Sequence, residues 1–187
     1  MTTYTLIILA GGRAQRMNGR DKGLLHWQGA PMVAHLARRF PAAEILISAN
    51  RNRAAYRTYT DRVFSDERSD FTGPLAGIET CLARASHPNQ LIIPCDMPAL
   101  PDDLATQLFG ARKSSRDIAV AHDGARLQPL CMALSADEWL DDLRDYLDAG
   151  QRSMHGWLAD KPVVSVNFGN KAAFVNLNSE ADLSNRG

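Results

Sequence analysis

Tyr4-Thr5-Leu6-Ile7-Ile8-Leu9-Ala10 runs into Gly11-Gly12-Arg13-Ala14-Gln15-Arg16-Met17 and, shortly after, Asp21-Lys22-Gly23. The first seven residues are β-branched or aliphatic for the most part, too short a run for a buried helix but long enough for a central strand. Gly11 and Gly12 end it. Without Cβ atoms they admit positive φ and let backbone N–H groups approach an anion, as at other nucleotide-binding turns. Between Gly11 and Lys22 stand Arg13, Arg16, Arg20 and Lys22 against one acid, Asp21, a local cationic cluster suited to a polyanion such as a triphosphate. The third glycine of a dinucleotide fingerprint and the Gly-Lys-Ser/Thr of a P-loop do not occur in it. A strand-ending turn with solvated arginines is the plain alternative.

The chain has 187 residues and 45% hydrophobic content, enough to bury one substantial core, which predicts a single domain over residues 1–187. Lys plus Arg and Asp plus Glu number 21 each, so no global field favours nucleic acid and anion binding must be local. Cys81, Cys95 and Cys131 are odd in number and form no C-x-x-C, which points to reduced, buried thiols instead of a disulfide framework or a zinc site. The N-terminal apolar run has no cation before it and is cut by Gly11-Gly12-Arg13, unlike a signal peptide. No segment approaches the ~20 apolar residues of a membrane span. A soluble, cytoplasmic protein is expected.

Outward from the first strand, strand-like and helix-like segments alternate, the pattern of a mostly parallel sheet with helices on both faces. Helices are predicted over residues 31–40, 74–85 and 101–112, and strands over 44–49, 62–64 and 90–95. Residues 117–121 and 127–134 flank His122-Asp123-Gly124, a hairpin signal that adds an antiparallel element. Ser135-Ala136-Asp137-Glu138 matches a capping box that opens a further helix. A short helix after Gly150, the apolar run 163–166 and a last helix near Ser179 complete a three-layer, Rossmann-like α/β fold.

In such sheets ligands bind beyond the carboxyl ends of the strands. Four segments stand there: the Gly-Gly turn, Ser48-Ala49-Asn50, Ser65-Asp66 and Cys95-Asp96-Met97-Pro98. Asp96, flanked by Pro94 and Pro98, is a hard oxygen donor suited to Mg²⁺, with a helix cap as the alternative. The histidines 26, 35, 87, 122 and 155 show no metal-ligand spacing and read as surface or packing residues.

These segments together resemble the molybdenum cofactor guanylyltransferases, nucleotidyltransferases of Rossmann-like fold. The resemblance covers nearly the whole chain and rests on five ordered blocks: Leu9-Ala10-Gly11-Gly12 with Arg16-Met17 and Asp21-Lys22-Gly23; Ala49-Asn50-Arg51; Asp66 with Gly73-Pro74-Leu75-Ala76-Gly77; Cys95-Asp96-Met97-Pro98; and Phe174-Val175-Asn176-Leu177-Asn178. It implies transfer of GMP from GTP to the terminal phosphate of molybdopterin, with release of pyrophosphate. By position, Leu9, Ala10, Gly11, Gly12, Lys22, Asn50, Asp66 and Asp96 would bind GTP. Asp96 would also hold Mg²⁺, with Mn²⁺ as the other candidate. Asn176 and Asn178 would stand on the metal or acceptor side, with turn residues as the alternative. Transient contacts with cofactor-synthesis enzymes and with target molybdoenzymes or their chaperones are expected of the family.

The chemistry is consistent with these residue types. The acceptor is a phosphate monoester whose second pKa is about 6, so it is mostly dianionic at neutral pH and needs no general base. In-line alignment and neutralisation of the leaving pyrophosphate remain, tasks for Asp96 with its metal and for Lys22, Arg13 and Arg16. A carboxylate at Asp66 can accept from both N1–H and the amine of guanine. Asn50 and the 73–77 loop, including Gly77, offer amide and backbone partners to base or ribose. Related cytidylyltransferases commonly carry aspartate where Asn178 stands, which favours GTP. Gln128-Pro129 replaces a His-Pro found in many relatives, so no imidazole role transfers. Arg126, Lys161 and Lys171 are either contacts for an anionic pterin or solvated charges. A cytidylyl or other nucleotidyltransferase, and a non-catalytic nucleotide- or cofactor-binding protein, are the competing readings.

Overall fold

The computed structural model describes residues 2–11, 21–68 and 73–177. Gly12, Arg13, Arg16, Asn178 and the helix expected near Ser179 lie outside them. In chain order the elements are β1 (Thr5–Leu9), β2 (His26–Trp27), β3 (Ala30–Pro31), α1 (Met32–Arg39), β4 (Glu44–Ser48), α2 (Arg53–Tyr56) and β5 (Val63–Phe64). There follow α3 (Pro74–Leu82), β6 (Asn89–Pro94), α4 (Leu104–Ala111), β7 (Ile118–His122), β8 (Leu127–Ser135), α5 (Ala136–Asp148), α6 (Met154–Leu158) and β9 (Val163–Asn167).

Seven strands form one sheet in the order β5-β4-β1-β6-β8-β7-β9. β1 is parallel to both β4 and β6, β5 is parallel to β4, and β9 is parallel to β7. β8 runs antiparallel to β6 and β7, so the predicted hairpin is the antiparallel element, with an irregular register between Val120 and Ala121. Alternation along the strands divides the core between two faces. Leu6, Ile8, Ile47, Leu91 and Ile93 face α1 and α4 through Val33, Leu36, Leu104 and Leu108. Ile7, Leu46, Ile92, Val120 and Met132 face α3, α5 and α6 through Leu75, Ile78, Trp139, Leu143 and Trp157. The central strands are fully buried because both faces are covered, which is why they read as unbroken apolar runs.

Several boundaries differ from expectation for local reasons. The helix predicted from residue 101 starts at Leu104, since residues 101–103 turn first. The helix predicted to 85 ends at Leu82. The capping box does not form. Ser135 belongs to β8 and its side chain makes no cap bond, while Glu138 accepts from Ser115 Oγ at 2.6 Å. The donor at the start of α5, Ala136 N, is satisfied instead by Gln90 Oε1 at 2.6 Å and by Pro88 O at 3.2 Å. Gln90 is fully buried and its amide also donates to His87 O. Two short features carried too little periodicity to be read: the β2–β3 hairpin, turning on Gln28 and Gly29 at positive φ (46° and 81°), and α2.

No helix among the described residues is long and apolar enough to cross a membrane. The three cysteines are free and buried. Burial raises the Cys81 thiol to about 12, so it stays protonated and acts as a packing group.

At the β7–β8 turn, the nearly enclosed Asp123 carboxylate accepts from Ala125 N (2.7 Å), Arg126 N (2.9 Å) and Gln128 Nε2 (2.7 Å). Gln128 is therefore committed to the hairpin. The two backbone donors foremost, with Gln128, lower the Asp123 pKa from 3.8 to about 2. A folded-state value below the unfolded one stabilises the protein fully above about pH 4, a contribution lost as pH falls through about 2. Asp123→Asn should therefore flatten the acid side of the stability profile between those limits, measured by urea unfolding at stepped pH. Gln90→Leu, which leaves His87 O without its amide, should cost about 1–2 kcal/mol, read as a lower urea midpoint with unchanged slope.

Candidate functional site

The parallel ladder brings three strand ends to one level. Leu9 is opposite Ser48 on one side and Pro94 on the other. The pairing continues past the strands, with Ala10 N donating to Ser48 O at 2.8 Å and Cys95 N to Leu9 O at 3.0 Å. Ala49 N reaches Phe64 O at 2.7 Å, so residues 65–66 arrive at the same edge. β1 is the switch point: the chain proceeds from it to β4 and β5 on one side, then crosses to β6 on the other. A cleft opens there, as expected for an open α/β sheet.

Leu9, Ala10, Gly11, Lys22, Asn50, Asp96 and Asn176 line that cleft, together with Asp21, Arg51, Pro74, Pro94, Cys95 and Leu130. Lys22 Nζ lies 3.2 Å from Asp96 Oδ2, with the two side chains 29% and 14% exposed. They are sheltered enough to be oriented and open enough to meet a ligand. Leu177 N donates to Asp96 O at 2.9 Å, and Leu177 packs with Trp27 and Met32, which carries Asn176 from far along the chain to the Asp96 wall. Cys95 lines the cleft as well. Burial, followed by the negative charges of Asp96 and Asp21, pushes its thiol well up, so it is not poised as a nucleophile.

Asp66 is partly exposed and joins the cleft wall through Asn50, while Gly77 is buried next to it. Asn50 Nδ2 donates to Asp66 Oδ2 and Asp66 N to Asn50 Oδ1, both at 2.8 Å, while Ser48 Oγ donates to Asp66 Oδ1 at 3.2 Å. Gly77 lies inside α3 and not in a loop, because Gly73 caps that helix and Pro74 opens it. A Cβ on Gly77 would come within 2.4 Å of Ser48 Oγ and 3.2 Å of Asp66 Oδ1, so its place is to make room for that hydroxyl and carboxylate. Ser48 is the residue in this group that sequence reading left without a role; a serine at the end of an apolar strand carries no signal of which carboxylate it meets.

A second carboxylate is held in the same manner. Tyr56 Oη donates to Asp21 Oδ1, and Asn52 Nδ2 donates to Asp21 Oδ2 at 3.2 Å. Neither Tyr56 nor Asn52 was legible from the polar stretch Arg51-Asn52-Arg53, which shows no apolar period. Arg126 and Lys171 are exposed, while Lys161 pairs with Asp142 at 3.0 Å and Asp160 at 2.9 Å, which assigns that lysine to the surface of α5. Among the described residues no group of three or more His, Cys, Asp and Glu side chains converges in a way that would hold a metal ion.

Residues 6–163 match the MobA-like NTP transferase domain family. The chain belongs to that family. It is 42% identical over 177 residues to the molybdenum cofactor guanylyltransferase of Shewanella amazonensis, an overlap of 92% of this chain and 90% of that one. It is likewise 42% identical over 186 residues to that of Histophilus somni, covering 97% and 95%. Among solved structures, the molybdopterin-guanine dinucleotide biosynthesis protein A of Archaeoglobus fulgidus superposes with a TM-score of 0.77 over 97% of this chain and 96% of that chain, at 18% identity. A nucleotidyl transferase from Methanothermobacter gives 0.79 over 100% and 97%, also at 18% identity. These structures establish that this MobA-like transferase has the nucleotidyltransferase fold.

In this MobA-like transferase, Gly77→Ala should force Ser48 and Asp66 apart and cost about 1–3 kcal/mol, the usual range for overpacking. The penalty should shrink when Ser48→Ala removes the hydroxyl, a coupling that chemical denaturation of the four variants measures.

Proposed function

We propose that this chain transfers GMP from GTP to the terminal phosphate of molybdopterin, forming the guanine dinucleotide cofactor and pyrophosphate. The observation that carries the reading is the Lys22–Asp96 pair at 3.2 Å, set in one cleft with Gly11 and Asn176 in a chain of the guanylyltransferase family. Polyphosphate binding draws on the backbone after β1 and on Lys22, with Gly12, Arg13 and Arg16 following in the same segment. Asn50 keeps one amide hydrogen and one acceptor lone pair beyond its bonds to Asp66, and the Asp66 oxygens keep lone pairs for the N1–H and amine of guanine. Asn176 is assigned to the acceptor side and Asn178 to the same role.

Asp96 is the residue that would hold Mg²⁺, or Mn²⁺ in its place. A single cleft carboxylate fits an ion whose remaining ligands are phosphate oxygens and water, and when bound it would neutralise charge on the leaving pyrophosphate. Lys22, 3.2 Å from Asp96, contributes a second positive charge. The acceptor oxygen is already ionised, so the protein's task is alignment and charge stabilisation in a partly dry cleft. We place this chemistry in one domain and in the reducing cytoplasm, consistent with three buried free thiols, with transient handover of the labile pterin between its synthesis enzymes and target enzymes or their chaperones.

The test is product formation by purified protein with Mg²⁺, molybdenum-loaded pterin and, separately, GTP, CTP or ATP, with the dinucleotides resolved by chromatography. Guanine dinucleotide from GTP alone is the expected result. A cytosine product would assign the sister activity, and GTP binding without any product would assign a non-catalytic role. Asp96→Ala should fold and lose transfer. Lys22→Ala should slow transfer by roughly one to a few powers of ten, the scale for a removed electrostatic group, while a change confined to KM would mean uniform substrate binding.

A further inference from the structure

Beneath Lys22 lies a set of side chains that the chemistry above does not use. Tyr56 on α2 is 0% exposed, and burial raises its hydroxyl far above the usual phenol value, so it is a fixed donor. Its acceptor is Asp21 Oδ1, and Asn52 Nδ2 donates to the other oxygen at 3.2 Å. Asn52 takes a left-handed conformation (φ 50°, ψ 27°) at the start of α2, one that asparagine tolerates better than most residues. On the other side of the lysine, a Cβ at Gly23 would lie 2.5 Å from Tyr56 Oη and 3.3 Å from Cys95 Cβ. The turn therefore rests directly on the phenol and on the residue preceding Asp96. Leu24 N to Asp21 O (3.2 Å) and Leu25 N to Lys22 O (3.0 Å) close it.

Lys22 is thus flanked by two anchored residues, one tied to α2 through its carboxylate and one pressed between α2 and the end of β6. A long lysine stem is flexible, so what the protein can fix is its point of origin. A displacement of about 1 Å in a charge-stabilising group can cost roughly a hundredfold in rate. The anchoring also answers an electrostatic difficulty. A carboxylate beside a polyanion site opposes binding, and Asp21 has both oxygens engaged by neutral donors, one from α2 and one from the residue that precedes it.

We propose that Tyr56 and Asp21 are positioning residues for Lys22, with α2 as the post from which the lysine-bearing turn is held against Asp96. The proposal rests on Lys22 being the cation that meets the triphosphate in the transition state. It is tested by a double-mutant cycle on GMP transfer in the complete protein, using wild type, Tyr56→Phe, Lys22→Ala and the double variant, with thermal unfolding of each. Tyr56→Phe should lower kcat about tenfold, the scale of one hydrogen bond to a charged group, with KM for GTP changed by less than about twofold. In the Lys22→Ala background the same change should cost nothing further. Asp21→Asn, close in shape but a poorer acceptor facing the Asn52 amide, should reproduce the kcat loss and carries the test should Tyr56→Phe fold poorly. Equal losses in both backgrounds, or a loss confined to KM, would overturn the positioning role. If Lys22→Ala alone transfers GMP at the wild-type rate, the reading of Lys22 fails and the proposal with it, an outcome the single variant identifies.

Discussion

The parallel pairing of β1 with β4 on one side and β6 on the other is the constraint on which the rest of the molecule depends. Parallel strands have evenly spaced hydrogen bonds and need covered faces, and here the ladder holds Leu9 opposite both Ser48 and Pro94. Register is therefore shared by three segments far apart in sequence. A shift of one residue in any of them would turn that strand's apolar side chains, such as Ile7 and Ile8 in β1, to the opposite layer and would also carry Gly11, Asn50 or Asp96 off the common edge. Core packing and site geometry are secured by the same bonds.

That arrangement gathers charged side chains at one edge of a chain of zero formal net charge. Cations and acids are both present at the cleft, and their pairing decides which charges face it. Asp66 is engaged by Ser48 and Asn50, and Asp21 by Tyr56 and Asn52. Asp96 stands opposite Lys22. The structure thus divides three carboxylates into two that are tied to neutral donors and one that pairs with a cation, a division that formal charge cannot express. Gly77 and Gly23 serve it by leaving the space that the Ser48 and Tyr56 hydroxyls fill.

Much of the architecture was legible because the sheet interior is encoded in composition. Residues 4–10, 44–49 and 90–95 read as strands since both faces must be apolar, and the β7–β8 hairpin followed from His122-Asp123-Gly124 between two apolar runs. The capping box failed although its residues fit the pattern. Ser135 is held as the last residue of β8, and the buried Gln90 from a neighbouring strand reaches the helix start first. Short elements such as α2 and the β2–β3 hairpin escaped because four residues or fewer cannot display a period.

By itself the sequence determined the fold class, the family and most of the segments that meet at the cleft, because hydrophobic period and ordered motifs are local properties of the chain. The tertiary structure alone decided how those residues are partnered. It moved Gly77 from a loop into a helix, tied Asp66 to Asn50 and Ser48, and brought Asn176 to the wall of Asp96 through Leu177. It also set Tyr56 under the turn that carries Lys22. The reason is physical: a hydrogen bond or ion pair between groups as far apart in the chain as Lys22 and Asp96 depends on strand register and helix placement, and these come from burial of the whole core rather than from any stretch of sequence near either residue.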